Sequence, residues 1–226
     1  MGTASAAYVG DWSYFGFTSP VRGGRFRFEV SPMFGDLNVT TAIADYRRYF
    51  NRYPFTLALR GMHFGRYGPD SEGTIFTRQT FLGYETLVRG YAYESWSADE
   101  CVNEDCPGFT RLWGSRLAVA NAELRVPLFG VEEYGLINFP FLPTELSAFV
   151  DAGLAWTSDQ PCQEGTTTIG CSPVFEWDSP TERTPVVSAG VSSRFNVLGF
   201  AIFEMYYAYP FQRPDKGWHL GFQLAP

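Results

Sequence analysis

Apolar and polar residues alternate with period two along much of the chain, and helical periodicity is nearly absent. In Arg25-Phe26-Arg27-Phe28-Glu29-Val30, whole charges alternate with apolar side chains, as they do in Asn121-Ala122-Glu123-Leu124-Arg125-Val126. From Ser147 to Trp156, Ala148, Val150, Ala152, Leu154 and Trp156 share one face, opposite Ser147, Asp151 and Gly153. Near the end, Trp218, Leu220, Phe222 and Leu224 oppose His219, Gly221 and Gln223. This pattern predicts about nine strands, at 5–16, 24–34, 38–50, 54–66, 116–128, 145–157, 185–196, 199–211 and 217–225. Several reach ten residues, the length a tilted strand needs to cross a bilayer. A soluble β-sandwich would alternate in the same way, but with shorter strands and the apolar face turned inward. Aromatic residues cluster near the expected strand ends, at Tyr46, Tyr49, Phe50 and Tyr53 and again at Tyr206, Tyr207, Tyr209 and Phe211. Such clusters predict interfacial girdles.

Composition sharpens the all-β reading. Aromatics at 18%, with 23 Gly and few helix formers, favour strands and turns. A net charge of −7 argues against a general nucleic-acid binder. No apolar run is long enough for a transmembrane helix, so any crossing must use strands. The connections at 51–53 and 196–199 are tight, whereas 67–115 and 158–184 are long and polar. Outer-membrane barrels combine short periplasmic turns with long external loops. The stretch 129–144 is then a long periplasmic connection, and Pro127, Pro140 and Pro143 are expected to interrupt regular structure there.

Both long loops carry paired cysteines, Cys101 with Cys106 and Cys162 with Cys171. Local pairs in polar loops read as disulfides formed in an oxidising compartment. Zinc is the competing reading, but neither pair has the Cys-x-x-Cys spacing and only His63 and His219 are available as partners. The N-terminus has neither the basic nor the apolar region of a signal peptide. An exported chain that starts this way is expected to be part of a longer one.

Three motifs then occur in order. Loop 67–115 contains Val88-Arg89-Gly90-Tyr91, the next strand contains Glu123, and the strand after it reads Phe149-Val150-Asp151-Ala152-Gly153. In this the chain resembles the BamA/TamA superfamily of outer-membrane assembly and secretion barrels, also called the bacterial surface antigen family. That family carries Val-Arg-Gly-Phe/Tyr on an external loop, then Gly-x-x-Glu and Phe-x-Asp-x-Gly on the next two strands. Ala120 stands where the family has the glycine of Gly-x-x-Glu, and the chain ends Ala225-Pro226 where the family ends on an aromatic residue.

The resemblance implies an antiparallel transmembrane β-barrel segment. Residues 1–226 would be the C-terminal portion of a sixteen-strand barrel, with periplasmic POTRA domains upstream. It implies that the protein inserts or translocates client proteins at the bacterial outer membrane, through a weak seam between first and last strands. It also implies that the loop folds into the lumen, placing Arg89 against Glu123 and Asp151, with Phe149 and Gly153 on the same strand face as Asp151. A guanidinium can serve two carboxylates at once, as an ammonium cannot. Alternation puts Arg25, Arg27, Glu123, Arg125 and Asp151 on the lumen face, and Phe26, Phe28, Val30, Leu124, Val126, Val150 and Leu220 toward lipid.

A passive porin-like channel or surface antigen is the alternative function. Enzyme signatures are absent: the chain has no Gly-x-Ser-x-Gly, P-loop or dinucleotide fingerprint, and no serine is singled out as a partner for His63 or His219. No cofactor is implied. The cysteine reading has a direct check. Mass mapping of a non-reduced digest of the exported protein should find bridges 101–106 and 162–171, and four free thiols would overturn it.

Overall fold

The structure, a computed structural model, describes residues 1–72, 79–97, 100, 107–131, 135–157, 161–164, 167–170 and 185–224. Among these residues, nine strands form one antiparallel meander in chain order: β1 Ala6–Asp11, β2 Pro20–Phe34, β3 Val39–Arg52, β4 Phe55–Tyr67, β5 Arg116–Gly130, β6 Thr144–Trp156, β7 Val186–Val197, β8 Ala201–Pro210 and β9 His219–Leu224. Short segments at Gly2–Thr3, Tyr14–Phe15 and Ile137–Asn138 complete the sheet. Among the described residues the sheet is open, with β9 along one edge and the N-terminal segments along the other. Among the described residues no helix is long and apolar enough to cross a membrane.

Because successive side chains point to opposite faces, each strand divides its residues cleanly. On β6, Leu146 and Val150 are exposed on the outer face, while Glu145, Ser147, Phe149 and Asp151 are buried on the inner one. Outer residues Leu124, Val191, Tyr207 and Leu220 continue this apolar surface across neighbouring strands, whereas the inner face collects the charges of Glu123, Arg125, Arg194 and Glu204. The same alternation divides the two aromatic clusters. Tyr46, Phe50, Tyr53, Tyr207 and Phe211 are exposed, but Tyr49 and Tyr206 are buried. These last two are therefore inner-face residues and not part of an outward girdle, a parity that clustering in sequence conceals.

Two expected boundaries move. Pro127 does not end its strand; β5 runs on to Gly130. The ladder shifts register between Thr144 and Glu145, pairing Glu145 with Pro127 and Thr144 with Phe129, so Leu128 is the extra residue of a bulge. A bulge tolerates a residue without an N–H, while the Pro127 carbonyl still accepts from the Leu136 amide at 3.1 Å. The expected strand 5–16 is divided at residues 12–13, where the Asp11 side chain accepts from both the amide and the hydroxyl of Ser13. That local turn competes with the ladder.

The described parts of the long connection between β4 and β5 lie over the inner face and bring their own apolar core. Phe81, Leu82, Leu87, Val88, Tyr91 and Leu112 pack with Leu117 and Val119 of β5, Ala155 of β6 and Val186 of β7. A short ladder of Thr80–Phe81 with Trp113–Gly114 closes the base of the loop. At the opposite end of the sheet the segment between β1 and β2 reaches across the inner face. Ser19 donates to Glu145 at 2.8 Å, and Asn196 donates to the Phe17 carbonyl at 2.6 Å.

Leu112 has no accessible surface, so truncating it leaves a cavity at the centre of the loop core. Leu112→Ala should destabilise the loop by about 2–5 kcal/mol. Hydrogen exchange should then speed up at residues 81–91 and stay slow in the ladder between β5 and β6.

Candidate functional site: an arginine loop locked on the inner face

The tip of the inward loop begins with a turn, in which the Tyr84 carbonyl accepts from the amides of Leu87 and Val88 at 2.8 and 3.0 Å. This turn aims Val88 and Arg89 at the sheet. Gly90 follows with φ +88, a left-handed conformation that a side chain would strain. Tyr91 is fully buried, and its hydroxyl lies 3.0 Å from the Val187 carbonyl and 2.9 Å from Gln212 Oε1. Burial holds the Tyr91 phenol above its ordinary pKa, so it stays a neutral donor.

Arg89 is 3% exposed and spends its donors on three carboxylates. Its Nε donates to Asp151 Oδ2 at 2.7 Å and its Nη2 to Asp151 Oδ1 at 2.9 Å, a bidentate pair. Nη1 donates to Glu204 Oε1 at 2.8 Å, and Nη2 forms an ion pair with Glu123 Oε1 at 2.7 Å. The guanidinium carbon sits 3.5 Å from the centre of the Phe149 ring, a cation–π contact. Burial disfavours the Arg89 charge, but Glu123 and Asp151 outweigh it and raise the pKa above the ordinary arginine value.

Each inner-face residue of the Phe-x-Asp-x-Gly stretch has a separate task. Phe149 lies beneath the guanidinium, and Asp151 grips it. Gly153 leaves a gap, since a Cβ there would come within 2.7 Å of Val88 Cγ2 and 2.9 Å of Leu82. Asn121 adds a brace, its amide donating to the Leu87 carbonyl at 2.8 Å and to Asp151 Oδ1 at 2.9 Å. Ala120 is exposed on the outer face, so the missing glycine of Gly-x-x-Glu does not bear on this contact.

The network extends past the residues singled out from the sequence. Arg194 of β7 bonds Glu123 and Glu204, both at 3.0 Å, and approaches Glu145 at 3.4 Å. Arg125 bonds Glu123 at 2.7 Å. Three arginines thus face four carboxylates, Glu123, Glu145, Asp151 and Glu204. Glu145, Arg194 and Glu204 belong to no motif. Their signal was a charge at inner parity within a long alternating strand. A polar cavity of about 110 Å³ adjoins the cluster, bordered by Arg60, Glu85, Arg89, Arg125 and Arg194.

The remaining candidates lie elsewhere. Cys101, Cys106 and Cys171 fall outside the described residues, and of Cys162 only the backbone is described. His63 sits on the outer face between Tyr67 and the Leu117 carbonyl, whereas His219 borders Tyr206 on the inner face. The two histidines therefore do not share a site.

An antiparallel sheet with an apolar outer face, a charged inner face and an arginine loop locked against it defines an outer-membrane-barrel type of architecture. The Omp85 superfamily domain matches residues 18–225, and the chain belongs to that superfamily. Its members are outer-membrane proteins that serve protein insertion and translocation in general. A search of the curated proteins gives no match.

Removing one partner of a buried ionic cluster typically costs about 3–5 kcal/mol, because the others remain desolvated. Arg89→Ala leaves two arginines against four carboxylates and should free the loop tip, read as faster exchange of the 87–91 amides. Arg89→Lys should restore little of the protection, since an ammonium cannot make the bidentate pair with Asp151 while reaching Glu123 and Glu204.

Proposed function

We propose that this chain is the C-terminal portion of an outer-membrane barrel whose work is inserting or translocating client proteins, with the Val88-Arg89-Gly90-Tyr91 loop tip locked inside the lumen as the element that work requires. The observation that carries this reading is the placement of Arg89, buried against Asp151, Glu123 and Glu204 on the inner face of a sheet whose outer face is apolar. A buried ionic cluster is a costly way to hold a loop if stability is the only return. Its value lies in fixing one loop position beneath the barrel wall.

Outer-membrane lipid would meet Phe28, Val30, Leu124, Val150 and Leu220, all of which are exposed. Client strands would meet the edge of β9, a six-residue strand paired on one side with β8. Free ladder groups on such an edge accept an incoming strand by β-augmentation. The sixteen-strand closure and the upstream POTRA domains belong to this proposal. The reaction needs no cofactor and no catalytic residue, because strand exchange makes and breaks hydrogen bonds only.

The test uses the complete protein in outer membranes. Arg89→Ala should lower client insertion or secretion while the variant still reaches the membrane. Ion conductance that persists with no effect of Arg89→Ala on other membrane proteins would establish a passive channel instead. Orientation is checked separately. Spin labels at positions 28 and 150 should report lipid, and Val150→Arg should cost roughly 2–4 kcal/mol at mid-depth in the bilayer. Water accessibility at both labels would overturn the membrane reading.

A further inference from the structure

Another buried arginine stands outside the cluster, in the connection between β8 and β9. Arg213 is 3% exposed, and all of its guanidinium acceptors belong to the inward loop. Nε donates to Glu100 Oε2 at 2.7 Å. Nη1 donates to the Gly90 carbonyl at 2.7 Å and to Ser95 Oγ at 2.8 Å. Nη2 donates to the Ser95 carbonyl and to Glu100 Oε1, both at 2.9 Å. The guanidinium carbon also lies 3.8 Å from the centre of the Trp96 ring. Five N–H groups therefore meet five acceptors and one aromatic face, the full capacity of this side chain.

The acceptor that matters most is the Gly90 carbonyl. It belongs to the residue next to Arg89, so fixing it fixes the backbone from which the Arg89 side chain departs. The same hairpin makes further contacts with the loop. Lys216 donates to the Ser95 carbonyl at 2.6 Å, and the Gln212 amide donates to the Tyr91 hydroxyl at 3.2 Å. The Tyr206 hydroxyl donates to Glu85 at 2.9 Å, and Glu204 accepts from Arg89 itself. Gln223 of β9 donates to Glu204 at 3.3 Å.

We infer that Arg213 is a second positioning residue for the motif loop, a rim latch through which the β8–β9 hairpin sets where Arg89 sits. The hairpin ends in the sheet's edge strand, so the latch ties the edge to the loop. Displacing β9 draws on Arg213 and, through the Gly90 carbonyl, on the Arg89 cluster. Any role of this coupling in assembly rests on the function proposed above; the latch itself does not.

The experiment takes the complete protein in lipid and follows amide exchange of residues 86–97 beside client insertion. Arg213→Gln should speed exchange of the loop by about ten- to a hundredfold, the loss expected when charge-assisted bonds break, while residues 117–125 stay protected. Arg213→Lys should recover only part of the protection. The pair Arg213→Glu with Glu100→Arg should recover more than either single change, an effect that general loosening of the fold does not produce. If Arg213→Gln fails to fold, Glu100→Gln carries the test, with a smaller rise in exchange at the same amides. Faster loop exchange with reduced insertion supports the latch and the proposed function together. Faster exchange with insertion unchanged supports the latch and counts against the loop's role in assembly. Unchanged exchange in Arg213→Gln or Glu100→Gln overturns the latch, whatever insertion does.

Discussion

A guanidinium taken out of water must find acceptors for its N–H groups or the structure bears the desolvation cost. Arg89 is that group here, and much of the arrangement around it follows from the need to satisfy it. The carboxylates come from β5, β6 and β8, so the contact spans most of the C-terminal half of the sheet. Arg125 and Arg194 are needed in turn because Glu123, Glu145 and Glu204 could not otherwise lie so close together. One buried cation thus recruits a network whose members supply one another's hydrogen-bond partners.

The ionic cluster does not hold the loop alone. The loop folds on its own apolar side chains and shares that core with β5, β6 and β7. Apolar burial supplies non-directional attraction, and the charges supply direction. The Gly153 gap adds shape, since it is filled from the loop side by Val88 and Leu82. Attraction, direction and shape act on neighbouring residues of one short segment, which is why so long a connection adopts one conformation there despite its entropy.

The fold was legible because period-two alternation is a local property, and strand positions came close from it alone. The errors arose where neighbours across the ladder decide. Pro127 is permitted by a bulge opposite Thr144 and Glu145, which no local pattern reveals. Tyr49 and Tyr206 were assigned by clustering, although their parity pointed inward. In the site, Arg89, Glu123 and Asp151 were readable because they stand in ordered motifs. Glu204 was not, because nothing in Ala201-Ile202-Phe203-Glu204 says which distant loop it will meet. Arg213 stands in no motif, and only the folded connection shows that its partners lie more than a hundred residues earlier.

The spacing of Phe149, Asp151 and Gly153 has a consequence for how sequences of this kind can change in length. The three act as graduations two residues apart, read by one loop tip. Inserting or deleting a single residue between them would turn part of the set to the other face and erase the reading. Length can vary freely only away from this ruler, because a longer surface connection adds little closure entropy. Among descendants of such a barrel, β6 should therefore keep its length to the residue while the outer parts of its loops drift.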